Sequence, residues 1–144
     1  MTDVHNAQIR SYNMSRIGSK NTKPELLVRK FLFSKGFRFK LHVRNLPGKP
    51  DLVLPKYKTV IFVHGCFWHG HEHCRYFVIP KTRTEWWMEK INRNRTLDMI
   101  HEGRLREEGW NVIVIYECAL KKERQEETLA EIARRLLQIK MDLD

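Results

Sequence analysis

Between Val60 and Cys74 the sequence reads VIFVHGCFWHGHEHC. An apolar run ends at His64 and Gly65 and gives way to ligand-type side chains and two large aromatics. Thiolate and imidazole are zinc ligands. Cys66, Cys74 and one of His71 or His73, joined by Cys118 from further along the chain, would make a Cys3His set, which closes a tetrahedron and is structural rather than catalytic. The competing reading is three unrelated cysteines. His69, in the same loop, is a candidate general acid/base because imidazole titrates near neutrality, and Asp98 on a later segment is available to orient it. A zinc ligand or a surface histidine is its blander reading. Phe67 and Trp68 lie in a short polar loop with no evident core to enter, so they suit the role of wedges between base pairs. Trp86 and Trp87 add to the aromatic count, and one of these two is expected in the core.

Charge directs attention to the acids. The chain of 144 residues carries a formal charge of +10, and from Met1 to His71 thirteen Lys or Arg face only Asp3, Glu25 and Asp51. Such a half attracts a polyanion, nucleic acid foremost. Carboxylates set in that field weaken phosphate binding unless they hold a cation that bridges to the phosphate. Pro50-Asp51 opens one strand and the next ends in Val63-His64, an arrangement like nuclease sites in which acids hold Mg2+. The usual second acid is missing, because Val63 stands at its position and offers only a backbone carbonyl. Taken alone, Asp51 also fits an ordinary strand start and Glu25 an ordinary helix cap.

These residues need elements to position them. Met1 to Asn21 carries Met14 and Ile17 at helical spacing among basic and polar residues, a segment suited to lie along DNA. Thr22-Lys23-Pro24-Glu25 is a capping box with proline in the first turn, and the helix it opens stops at Gly36. Phe37 to Arg44 alternates, with Phe37, Phe39, Leu41 and Val43 on one face and Arg38, Lys40, His42 and Arg44 on the other, predicting a half-buried strand with a basic outer face. Asp51 to Leu54 and Thr59 to His64 predict an antiparallel hairpin that brings Asp51 beside Val63 and His64. A helix from Thr84 to about Glu108 and a strand from Trp110 to Tyr116 complete a strand–helix–strand unit. Its right-handed crossover would set the last strand parallel to Thr59–His64 and Cys118 beside the Cys66 loop. A final amphipathic helix lies in 121–144. The expectation is one α/β domain spanning 1–144, with a mixed central sheet flanked by helices. No apolar run is long enough to cross a bilayer, the N-terminus is unlike a signal peptide, and three cysteines are an odd number that argues for metal over disulfides. A soluble, cytoplasmic protein is expected.

Several of these stretches together, HGCFWH (His64–His69), LPGKPD (Leu46–Asp51), PKTRTEWW (Pro80–Trp87), Asn13-Met14 and EGW…YECAL (Glu108–Leu120), resemble the very short patch repair endonucleases of bacteria. The resemblance runs from about Asp3 to Leu120. It implies a restriction-endonuclease-like fold, a variant of the PD-(D/E)XK nucleases, with a structural zinc loop. The implied activity is nicking 5′ to the thymine of a T:G mismatch left by deamination of 5-methylcytosine. By the same resemblance Asp51 and the Val63 carbonyl bind Mg2+, Glu25 and His64 position water at the metal, and Asp98 orients His69 as general acid/base. Phe67, Trp68 and Trp87 intercalate beside the mismatch, and Met14 approaches from the minor groove. The implied partners are mismatched double-stranded DNA and mismatch-repair proteins, with the chain itself a monomer. The loop HGHEHC holds one residue more than is usual before Cys74, and counting from Cys66 favours His71 over His73 as the zinc ligand. Two other functions share parts of this pattern. One is a non-catalytic zinc module for mismatched or bent DNA, in which Asp51 would be dispensable; the other is a nuclease whose catalytic metal sits on the histidines of the loop.

Overall fold

The computed structural model describes residues 21–144. The Met14 segment therefore lies outside the described residues. Helix α1 (Lys23–Ser34) starts as the capping box predicts: Thr22 Oγ1 accepts the Glu25 N–H at 3.4 Å, and Pro24 sits in the first turn. It ends where Gly36 takes φ +90° and the Phe37 N–H returns to the Leu32 carbonyl at 3.0 Å.

The alternating stretch after α1 does not become a long strand. Strand β1 is Lys40–Leu41 alone. Its partner β2 (Leu52–Leu54) is three residues long, and His42 takes φ 49°, a left-handed conformation that ends the extended run. The alternation from Phe37 to Arg44 is thus a real sequence pattern without a strand-length partner to pair with. β2 turns through a short 3-10 segment, Pro55–Tyr57, into β3 (Thr59–His64). The hairpin is antiparallel, with Leu52 opposite Ile61 and Leu54 opposite Thr59.

Helix α2 (Thr84–Glu107) carries the chain from β3 to β4 (Asn111–Tyr116), which pairs parallel to β3 from Thr59↔Asn111 through His64↔Tyr116. The sheet is mixed, in the order β1-β2-β3-β4. Its last element is helix α3 (Gln125–Leu143), reached through a 3-10 turn at Glu117–Leu120. Leu52, Leu54, Ile61 and Ile113 pack with Val28 and Leu32 of α1 and with Leu129, Ile132 and Leu136 of α3. On the opposite face Val53, Val60 and Phe62 pack with Leu105 of α2. Strands β2 and β3 are covered on both sides, which is why they read as unbroken apolar runs. The expected core tryptophan is not found: Trp86 is exposed and Trp87 half-buried at the open end of α2. Among the described residues no helix is long and apolar enough to cross a membrane.

Candidate active site and metal centres

Asp51 stands one residue before β2, against the end of β3. Its N–H bonds the Ile61 carbonyl at 3.1 Å, and its Oδ2 accepts the Val63 N–H at 2.7 Å. Ile61 and Val63 are two apart on one strand and turn their backbone groups to the same edge, so the Val63 carbonyl also faces the Asp51 side. The Glu25 side chain arrives from the first turn of α1. It is only 1% exposed, accepts the Asn21 N–H at 3.2 Å, and is ion-paired to Arg29. His42 Nε2 lies 3.0 Å from Glu25 Oε2. Glu25, His42 and Asp51 each offer a donor atom, all within 4.8 Å of one another. Burial pushes the Asp51 carboxyl up to about 7; the Val63 N–H pulls the other way and the Glu25 carboxylate adds to the rise. Two carboxyl groups held together out of water favour a divalent cation between them, and oxygen donors of this kind fit Mg2+.

A second group meets Asp51 across one cavity. His69 Nδ1 lies 2.7 Å from Asp98 Oδ2, and the His69 ring stacks on His64 with centroids 3.6 Å apart and planes within 2°. His64 is 5% exposed, and among the described residues its Nδ1 has no partner. Burial, helped by the neighbouring His69 and opposed by Asp98, drives the His64 pKa down to about 3, so this imidazole is neutral. With Nδ1 of His69 on Asp98, its Nε2 is the nitrogen left for chemistry. The cavity, about 470 Å³, is lined by Asp51, Val63, His64, Trp68, His69 and Asp98, and also by Lys49, His101, Glu102 and Glu117. Sequence reasoning missed these last four, as it missed Arg29 and His42. Gly48 makes the close approach possible: at φ +72°, any Cβ there would stand 2.9 Å from the His101 Cβ.

The sulfur-rich cluster lies past the ends of β3 and β4. Cys66, His71, Cys74 and Cys118 bring one donor atom each to within 4.8 Å of one another, and His71 Nδ1 is 3.5 Å from Cys118 Sγ. His73 is exposed and outside the cluster. The parallel pairing of β3 with β4 is what carries Cys118 to Cys66. Burial, to which Cys118 and Cys74 add, pushes the Cys66 thiol up to about 12. Three sulfurs and an imidazole at this spacing have the donor chemistry of a closed zinc site. The loop is held independently as well. The His71 N–H bonds the Cys66 carbonyl at 2.9 Å, Arg95 Nε bonds the Gly70 carbonyl at 2.8 Å, and His71 stacks on Tyr116 with centroids 3.9 Å apart.

Phe67, Trp68 and Trp87 form one aromatic ledge at the rim of the cavity, with ring centroids 5.3 Å (Phe67–Trp68 and Phe67–Trp87) and 5.8 Å (Trp68–Trp87) apart. Trp68 is 44% exposed, and Asn94 of α2 fixes its backbone carbonyl at 2.8 Å. Large rings packed edge to face beside an acidic and imidazole-lined cavity suit a base-paired substrate.

Comparison with known proteins defines the class: the chain is a DNA endonuclease. Residues 2–75 match the family described as DNA mismatch endonuclease Vsr, and the chain belongs to that family. It is 51% identical over 123 residues to a type II nicking enzyme of Neisseria meningitidis, covering 85% of this chain and 87% of that protein. A type II nicking enzyme of Xanthomonas oryzae is 49% identical over 120 residues, 83% of this chain and 88% of the relative. The DNA mismatch endonuclease Vsr of Escherichia coli is 46% identical over 121 residues, 84% of this chain and 77% of the relative. The expected relationship to the very short patch repair enzymes is therefore borne out, and the chain is a DNA mismatch endonuclease.

Proposed function

We propose that this endonuclease requires Mg2+, acts on double-stranded DNA carrying a T:G mismatch that arose from 5-methylcytosine, and nicks the strand 5′ to the thymine. The observation that carries the reading is Asp51, clustered with the buried Glu25, facing the His69–Asp98 pair across one cavity, below an aromatic ledge whose Trp68 is exposed. Asp51, the Val63 carbonyl and Glu25 would hold the ion. When bound there, Mg2+ polarises the scissile phosphodiester and neutralises charge on the departing oxygen.

The remaining work falls to side chains. Asp98 holds His69 Nδ1 and fixes the ring, so that one proton is taken or given at Nε2. Neutral His64 keeps that ring in plane by stacking, and its unpartnered Nδ1 is positioned to hold water in the cavity. Phe67, Trp68 and Trp87 insert beside the mismatch. Unstacking a base step costs a few kcal/mol and aromatic stacking returns about 1–3 kcal/mol per base, so the weakly paired mismatch is the cheapest place to insert. Zn2+ on Cys66, His71, Cys74 and Cys118 would make the loop that carries these groups rigid. The products would be a 3′-hydroxyl and a 5′-phosphate.

The test is a nicking assay on duplexes differing only in T:G or T:A at one position, with Mg2+ or with chelator. Mg2+-dependent nicking 5′ to the mispaired thymine alone is expected. Cleavage indifferent to the mismatch would overturn the substrate assignment, and activity that survives Asp51→Asn would overturn the metal assignment.

A further inference from the structure

We propose that His42 is a third side chain of the divalent-metal site, and that the resulting set of two carboxylates and one imidazole binds Mn2+ ahead of Mg2+. The inference rests on the reading of Asp51 and Glu25 as metal ligands.

Sequence alternation puts His42 on the solvent side with Lys40 and Arg44. The structure turns it inward. Its φ of 49° is a left-handed conformation that non-glycine residues rarely adopt, and it coincides with the point where the His42 N–H bonds the Asp51 carbonyl at 3.3 Å. The turn brings Nε2 to 3.0 Å from Glu25 Oε2, in one cluster with Asp51.

An imidazole N–H would satisfy a carboxylate at that distance, but a guanidinium shares the position. A terminal nitrogen of Arg29 is 3.1 Å from His42 Nε2 and ion-pairs the same Glu25 oxygen. Guanidinium only donates, so the His42 nitrogen facing it carries the lone pair. Glu25 and His42 therefore already converge on a cation. Arg29 is an incomplete fit for the place, since among the described residues its buried Nε has no partner. A divalent ion drawn also by Asp51 would take over the lone pairs that Arg29 now shares. Carboxylate oxygens serve Mg2+ and Mn2+ alike, but an imidazole nitrogen favours the transition metal.

The test uses zinc-loaded protein without DNA. Mn2+ and Mg2+ binding are measured by calorimetry, and bound Mn2+ is examined by pulsed electron paramagnetic resonance for coupling to a ligand nitrogen. The variants are His42→Asn, because asparagine tolerates the same backbone conformation, and Asp51→Asn. Wild type is expected to bind Mn2+ more tightly than Mg2+, with a nitrogen coupling. His42→Asn should lose both the coupling and the preference while still binding Mg2+. A spectrum without nitrogen coupling, a coupling that survives in His42→Asn, or a variant that weakens both ions in proportion, as loss of a mere support for Glu25 would, overturns the proposal. If Asp51→Asn binds both ions as wild type does, the underlying metal reading fails as well.

Discussion

At the scale of single residues, Asp51 and His64 are held out of water with opposite consequences for pH. The Asp51 carboxyl is raised by burial from 3.8 to about 7 in the folded chain. Its contribution to stability is therefore complete below the unfolded value and is lost as pH rises through about 7. His64 is lowered by burial from 6.5 to about 3, so its contribution is present above pH 6.5 and is lost as pH falls. Asp51→Asn removes only the first. In zinc-loaded protein free of other divalent ions, urea unfolding should show this variant more stable than wild type at about pH 8, by on the order of 4 kcal/mol, with the gap narrowing as pH falls and closing only below about pH 4. A difference that does not change with pH would contradict the buried-carboxyl account. The same variant should bind mismatched DNA and fail to cleave it. Asp98→Asn tests the other pair. It keeps a side chain of the same shape beside His69 but removes the charge that fixes its tautomer, so single-turnover nicking should fall about 100-fold or more with DNA affinity unchanged. Full activity would mean that the 2.7 Å contact is not used in turnover.

Elements explain why some of this was legible in the sequence. A strand, a long helix and a second strand imply parallel neighbours with adjacent C-terminal ends, and that alone brings Cys118 to Cys66 across a wide gap in sequence. The capping box on α1 was equally legible, as was Asp51 beside Val63, because hairpin pairing is set by the turn. The rest depended on tertiary context. Period-2 alternation cannot report that β2 is only three residues long or that His42 leaves the extended conformation, so the inward turn of His42 was hidden. The expectation that one of Trp86 and Trp87 enters the core failed for a similar reason: helix-start aromatics ordinarily meet a core, but α2 buries only Ile91 and Leu105. In the proposed zinc set Cys118 follows β4 while Cys66, His71 and Cys74 follow β3, so Cys118→Ser should lower zinc content and the unfolding temperature together. Undiminished zinc after that substitution would refute the ligand set.

For the whole molecule, two contributions to DNA binding should separate. The basic half of the chain neutralises phosphates on any duplex, a contribution that weakens with salt through counterion release and ignores sequence. The aromatic ledge, with Trp68 44% exposed at the cavity rim, would in its proposed role contribute only where a base step opens, and stacking itself releases no counterions. Plots of log affinity against log salt for T:G and T:A duplexes should therefore be parallel, with the mismatch offset to tighter binding. Trp68→Ala should shrink that offset by about 1–3 kcal/mol and leave both slopes as they were. Replacing Lys49, the basic residue lining the cavity beside Asp51, by alanine should instead reduce the slope on both duplexes by about one ion and leave the offset in place. Fluorescence anisotropy in chelator, where no strand is cut, measures all of these quantities. If Trp68→Ala changed the slope and spared the offset, mismatch selection would have to come from backbone contacts, and the ledge would lose its assigned role.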